Sequence, residues 1–192
     1  MSALILASSS PYRRALLDRL NLTYKCASPD IDETPIEGES PKDYVARLAE
    51  AKARELAAQY PDAIIIGSDQ CCVLDNRIVG KPGNFENARR HLQNCSDKHV
   101  SFLTGLCVLN TSNDNCQVCV EPYNVHFRTL STAMIENYLH AEQPYDCAGS
   151  FKIEGLGIAL FSKLEGDDPN SLIGLPLIRL ISMLEQQGLA TI

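Results

Sequence analysis

Two short runs without a charge constrain this chain most. Ala63 to Gly67 (AIIIG) leads straight into Ser68-Asp69-Gln70, and Ala3 to Ala7 (ALILA) leads into Ser8-Ser9-Ser10. Runs of this length and character suit strands buried on both faces, so other elements must cover both sides of the sheet that holds them. The segments that follow have the spacing to do so. Leu16, Leu17 and Leu20 mark one helical face after Pro11, and Val45, Leu48, Ala49, Ala53, Leu56 and Ala57 mark another, from the Ser40-Pro41 start to about Gln59. Val100 to Leu109 and Cys116 to Phe127 read as two long strands joined by TSNDN, a hairpin. Helices are expected from Asn84 to Cys95, from Ser131 to His140 and near Pro176 to Gln186, with shorter strands at Thr23 to Ala27 and Ile158 to Phe161. The order is that of a mixed α/β sheet with a parallel-type start and a central hairpin.

The length of 192 residues suits one domain, 1–192, with no repeat or low-complexity linker. A formal charge of -7 argues against nucleic acid and anionic membrane surfaces, while a local basic pocket stays compatible with it. No apolar run reaches the roughly 18 residues of a membrane span, and no basic region precedes a long hydrophobic one at the N-terminus. A cytoplasmic protein is expected. The eight cysteines then read as reduced thiols, and Cys116-x-x-Cys119 lacks the second pair that a structural zinc site needs. His91, His99, His126 and His140 show no ligand spacing.

The loops at the ends of the two uncharged strands carry the chemistry. Ser10 is a good N-cap and Pro11 a good first helical residue, so Ser8 to Ser10 should form a loop whose backbone N–H groups and helix dipole favour an anion. Arg13 precedes Leu16 and Leu17 by three and four residues and therefore points inward, either to a phosphate or to a neighbouring carboxylate. Lys52 interrupts the apolar stripe of its helix; it snorkels to the edge of the core or meets an anion in a cleft. Asp69, at the end of an inner strand, is where open α/β sheets place functional groups, with a local turn or cap interaction as the plainer reading. Asp30, Asp32 and Glu33 are hard oxygen donors in an acidic loop, either a divalent-metal cluster or a solvated stretch. Lys81, in Gly80-Lys81-Pro82, is a further phosphate candidate or an ordinary surface lysine. Cations and carboxylates of this kind suit phosphoryl chemistry with a divalent metal, Mg²⁺ or Mn²⁺, although neither a Walker loop nor a dinucleotide fingerprint is present.

Eight motifs in order give the sequence a specific resemblance. They are LILASSSPYRRALL, Asp32-Glu33-Thr34, the LAEAKA around Lys52, Ser68-Asp69-Gln70, Gly80-Lys81-Pro82, Thr104-Gly105, Ala148-Gly149-Ser150 and Gly174-Leu175-Pro176. The chain resembles the Maf family of nucleoside triphosphate pyrophosphatases over essentially its whole length, and within it the subgroup that acts on 7-methyl-GTP. The resemblance implies an α/β fold of two lobes around a central cleft, similar to the inosine triphosphatase class, often dimeric. It implies cleavage between the α and β phosphates of a nucleoside triphosphate with a divalent metal. By position Asp69 is then the catalytic base, Glu33 and Asp69 the metal ligands, and Ser8, Ser10, Arg13, Lys52 and Lys81 the substrate-binding set. Tyr12, Gln70 and Glu154 correspond to the subgroup's specificity residues. An aromatic face at Tyr12 suits the positive charge of N7-methylated guanine, and the Glu154 carboxylate can accept its N1–H and N2–H donors. The rival readings are the same reaction on dTTP, UTP or a damaged nucleotide, and a nucleotide-binding regulator of septum formation that does not turn substrate over.

Overall fold

The computed structural model describes residues 2–192. Strand β1 (Ala3–Ala7) is followed by α1 (Pro11–Asp18), β2 (Lys25–Ala27), α2 (Pro41–Glu55), β3 (Ala63–Leu74), β4 (Arg77–Val79) and α3 (Phe85–Cys95). Next come β5 (His99–Asn110), β6 (Asn115–Phe127), α4 (Thr132–Glu142), β7 (Phe161–Glu165), α5 (Pro169–Ile173) and α6 (Leu177–Gln186). The strands form one seven-stranded mixed sheet in the order β2-β1-β3-β5-β6-β7, with β4 paired to β3. Strand β1 runs parallel to both β2 and β3, matching Ile5 to Ile65 and Ala7 to Gly67. The expected α/β class with a parallel start and a hairpin is what the chain adopts.

The chain divides into two compact units. The first comprises the chain up to Gln70, Thr104–Glu121 and Asp168–Ile192. Alternation along its strands explains its layers. Leu4 and Leu6 of β1 and Ile64 and Ile66 of β3 pack with Leu16 and Leu17 of α1 and with Leu180 and Leu184 of α6. Ile5, Ala7 and Ile65 point the other way, onto Ala49 and Ala53 of α2. Both faces are thus covered, which is why the runs Ala3–Ala7 and Ala63–Gly67 carry no charge. Helix α2 lies very close to the sheet, because a methyl group at Gly67 or Gly105 would collide with the backbone carbonyl of Ala49 or Val45.

The second unit comprises Cys71–Leu103 and Pro122–Asp167. Strands β3 and β4 form a tight hairpin in which Leu74 faces Arg77. Its two loop residues, Asp75 and Asn76, have φ of 48° and 61°, the pair of left-handed residues that a two-residue hairpin with the sheet's own twist demands. The core of this unit is aromatic: Phe151 meets Phe102, Phe127 and Phe161 edge to face at 5.2, 5.9 and 4.8 Å between ring centroids. The late strand begins further on than the expected Ile158 to Phe161. Gly157 donates its N–H to the Lys152 carbonyl at 3.1 Å, a tight turn that winds Leu156–Leu160 into a 3₁₀ helix. Extended chain starts only where Phe161 enters the aromatic core. Strand β3 likewise runs on through Leu74, so Asp69 lies within it rather than beyond its end.

Candidate active site

The expected N-terminal turn forms from its own side chains. Ser10 has extended backbone, and its hydroxyl accepts from the Arg13 N–H at 3.4 Å, with Pro11 opening α1. Buried Ser8 accepts from the Ser10 N–H at 3.1 Å. Each hydroxyl serves here as an acceptor, a role that does not use its own proton. Half-buried Tyr12 follows on the first turn of α1.

Arg13 turns inward, as the spacing predicts, and its Nε donates to the Gly174 carbonyl at 2.8 Å. Burial holds its guanidinium below the ordinary value, and the carboxylates of Asp69 and Glu33 pull it back up. Lys52 also meets anions. Its Nζ reaches Asp69 Oδ1 at 2.6 Å and Glu33 Oε1 at 2.7 Å. Lys52 and Asp69 are only 9% and 7% exposed, whereas Glu33 stands on an exposed loop. The close seating of α2 on Gly67 brings this about, since Lys52 is one turn beyond Ala49 and Asp69 two residues beyond Gly67. Two cations and two carboxylates therefore converge in the first unit with their charges balanced. A buried carboxylate is costly unless paired, and Lys52 pairs with buried Asp69 as well as with exposed Glu33.

Gln70 is anchored through its amide. Nε2 donates to the carbonyls of Ser171 at 2.7 Å and Leu172 at 3.1 Å and to Thr104 Oγ1 at 3.1 Å. Because Thr104 Oγ1 gives its own proton to the Ser171 carbonyl at 2.8 Å, the amide orientation is fixed and Oε1 is the atom left to act as an acceptor. Of the other expected site residues, Lys81 and Glu154 belong to the second unit, both exposed. The motif beside Glu154 is locally ordered there. Gly149 and Ser150 have φ of 72° and 64°, and Ser150 Oγ lies 2.9 Å from His91 Nδ1. Asp30 and Asp32 stay out of the charged cluster, and the Asp32 carboxylate accepts from the Thr34 N–H at 2.9 Å; hydrogen bonding from the Thr34 side chain, and then from its backbone, holds it below the usual carboxylate range.

Sequence reasoning gave no role to Ser68, Thr104, Asp168 or Gly174. Ser68 is fully buried, and its hydroxyl faces the carbonyls of Gly105 and Gly174, each at 2.9 Å. Asp168 caps α5 by accepting from the Asn170 N–H at 2.8 Å and also takes the Ile178 N–H at 2.7 Å, which ties α5 to α6. The signal was present in the Thr104-Gly105 and Gly174-Leu175-Pro176 motifs, yet no pattern in the sequence pairs those stretches with Arg13.

The family model described as Maf-like protein matches residues 3–187. This chain belongs to the Maf family. A curated relative in the family, 7-methyl-GTP pyrophosphatase of Pseudomonas syringae pathovar tomato, is 58% identical over 190 residues, 99% of this chain and 99% of the relative. Among solved structures, the Ham1 protein of Staphylococcus aureus aligns with 65% of this chain and 71% of its own at 16% identity and a TM-score of 0.44. No helix among the described residues is long and apolar enough to cross a membrane.

Proposed function

We propose that this Maf protein hydrolyses 7-methyl-GTP to 7-methyl-GMP and pyrophosphate. The identity of 58% across the full length of a 7-methyl-GTP pyrophosphatase carries this reading. The convergence of Arg13, Lys52, Asp69 and Glu33 supplies groups suited to the chemistry. Asp69 is the proposed general base. It takes a proton from water as the water oxygen bonds to the α-phosphorus, and the bond from that phosphorus to the bridging oxygen breaks to release pyrophosphate. Arg13 and Lys52 stabilise the charge that builds on the phosphate oxygens, Ser8 and Ser10 donate hydroxyl protons to them, and Lys81 is a further cation for the leaving group.

A divalent cation, Mg²⁺ or Mn²⁺, belongs to this proposal. No group of three His, Cys, Asp or Glu side chains among the described residues is placed to hold a metal. Asp69 and Glu33 alone offer two hard oxygen donors, the number that magnesium takes from proteins when substrate phosphates and waters complete its shell. A triphosphate entering a charge-balanced cluster would leave it negative, which a divalent cation offsets. When bound, such an ion would polarise phosphate oxygens.

Base selection follows from charge and hydrogen-bonding edge. The Tyr12 ring suits a cationic methylated guanine, Glu154 suits its N–H donors, and Gln70, with its amide nitrogen engaged, offers an acceptor oxygen. Cytoplasmic location and a homodimer, as the family resemblance implies, complete the proposal. Pyrophosphate release from 7-methyl-GTP, GTP, dTTP and UTP, with Mg²⁺ or Mn²⁺ and an Asp69→Asn control, tests it. Turnover led by 7-methyl-GTP and lost in the control is the expected result. Preferred cleavage of dTTP or UTP would reassign the substrate, and tight nucleotide binding without turnover would favour a regulator.

A further inference from the structure

We propose that Ser68 is a positioning residue that acts through the Gly174 carbonyl to aim Arg13. The inference rests on the reading of Arg13 as a phosphate ligand. An arginine side chain has many rotamers, and this one lies within the fields of two carboxylates, Asp69 and Glu33. Left to itself, such a guanidinium would turn onto the carboxylates and spend its donors there. Its Nε instead bonds to the Gly174 carbonyl at 2.8 Å, which fixes the plane of the group and leaves the four terminal N–H donors for an incoming anion.

The carbonyl that does this must itself be immobile. Ser68 approaches it from the buried side at 2.9 Å and ties it to the Gly105 carbonyl, also at 2.9 Å, so one hydroxyl proton is shared by two main-chain oxygens. The segment before it is pinned at Ser171 and Leu172 by Gln70 and Thr104. Gly174 has φ of 121°, and a Cβ there would lie 3.4 Å from Arg13 Nε. Glycine thus permits the backbone turn, while the contact with the guanidinium is an ordinary one. Ser68 touches no position where substrate is expected, so its effect must pass through Arg13.

A double-mutant cycle tests this on the full-length chain. Ser68→Ala should lower kcat for 7-methyl-GTP about fivefold to tenfold, the usual worth of one hydrogen bond, with KM within about twofold. In an Arg13→Ala background the same change should cost less than about twofold, because the group it aims is gone. Equal losses in the two backgrounds would overturn the proposal. The second readout needs no turnover: the Arg13 Nε–H, followed by nitrogen-edited NMR, should exchange with solvent about fivefold to tenfold faster in Ser68→Ala. An unchanged exchange rate would also overturn it. Ser68→Cys, with a similar shape and a weaker donor, should be intermediate in both measurements, and it serves if the alanine variant fails to fold. Should the parent cleave no nucleotide, the activity reading falls while the exchange rate still decides the role of Ser68.

Discussion

The two units of this chain bury different things. Among the described residues, nine of the ten buried polar or charged side chains lie in the first unit, and only Ser150 lies in the second. All five phenylalanines lie in the second, and the first has a core mainly of Leu, Ile, Val and Ala, with Met183 and Cys107 and no phenylalanine. Burying a charge is costly unless it is paired, whereas burying a ring stabilises wherever it packs. In the first unit the removal of Lys52 and Asp69 from water must be offset by their pairing, whereas the second is held by the packing of its rings. Substitutions should consequently lower activity in the one and stability in the other.

The sharpest break should come at Asp69. Asp69→Asn is expected to lower kcat by about 10² to 10⁴, the scale of a lost acid-base group, with the folded state retained because Lys52 still pairs with Glu33. Steady-state kinetics beside a thermal melt would separate the two effects. The counterpart is Phe151→Ala, which removes the ring common to three edge-to-face contacts. It should cost about 3–5 kcal/mol in urea unfolding and leave kcat within about threefold while the protein is folded. A collapse of kcat in the folded variant would break the comparison.

A smaller effect is expected at Glu154, exposed in the second unit. Glu154→Gln should reduce the kcat/KM ratio of 7-methyl-GTP to UTP about tenfold, since a charged acceptor for guanine donors becomes neutral. The smallest concerns His91. Burial, reinforced by Arg90, holds its imidazole below the ordinary 6.5, so the unfolded chain binds the proton more readily than the folded one. The stability from neutral His91 is complete above that value and is lost as pH falls through the folded-state pKa. Thermal melts across pH 7.5 to 5 should show a shallower acid loss in His91→Gln.

Much of this was legible in the sequence, for identifiable reasons. Strand burial showed as an absence of charge, the caps at Ser10 and Ser40 as residue types before apolar spacing, and Lys52 as a charge on the wrong face of a helix. Each of these is a local pattern. That Lys52 chose two carboxylates over snorkelling was open, because its partners are 17 and 19 positions away and only packing brings them in. The hold on Arg13 was not legible at all, since the acceptor is a main-chain carbonyl 161 positions later, and any residue has such a carbonyl. The turn that delays β7 was hidden for a similar reason: it depends on which backbone oxygen Gly157 reaches.

The seating of α2 on Gly67 and Gly105 has a consequence for water. With helix carbonyls against bare backbone, helix and sheet meet closely, and Lys52 and Asp69 face each other largely out of water. Coulomb attraction there is several times what it is in bulk water. One added methyl at Gly67 would lift the helix and let water in, and the same two charges would behave as an exposed pair worth little. The strength of the candidate site's ion pair is thus set by two residues that carry no side chain at all.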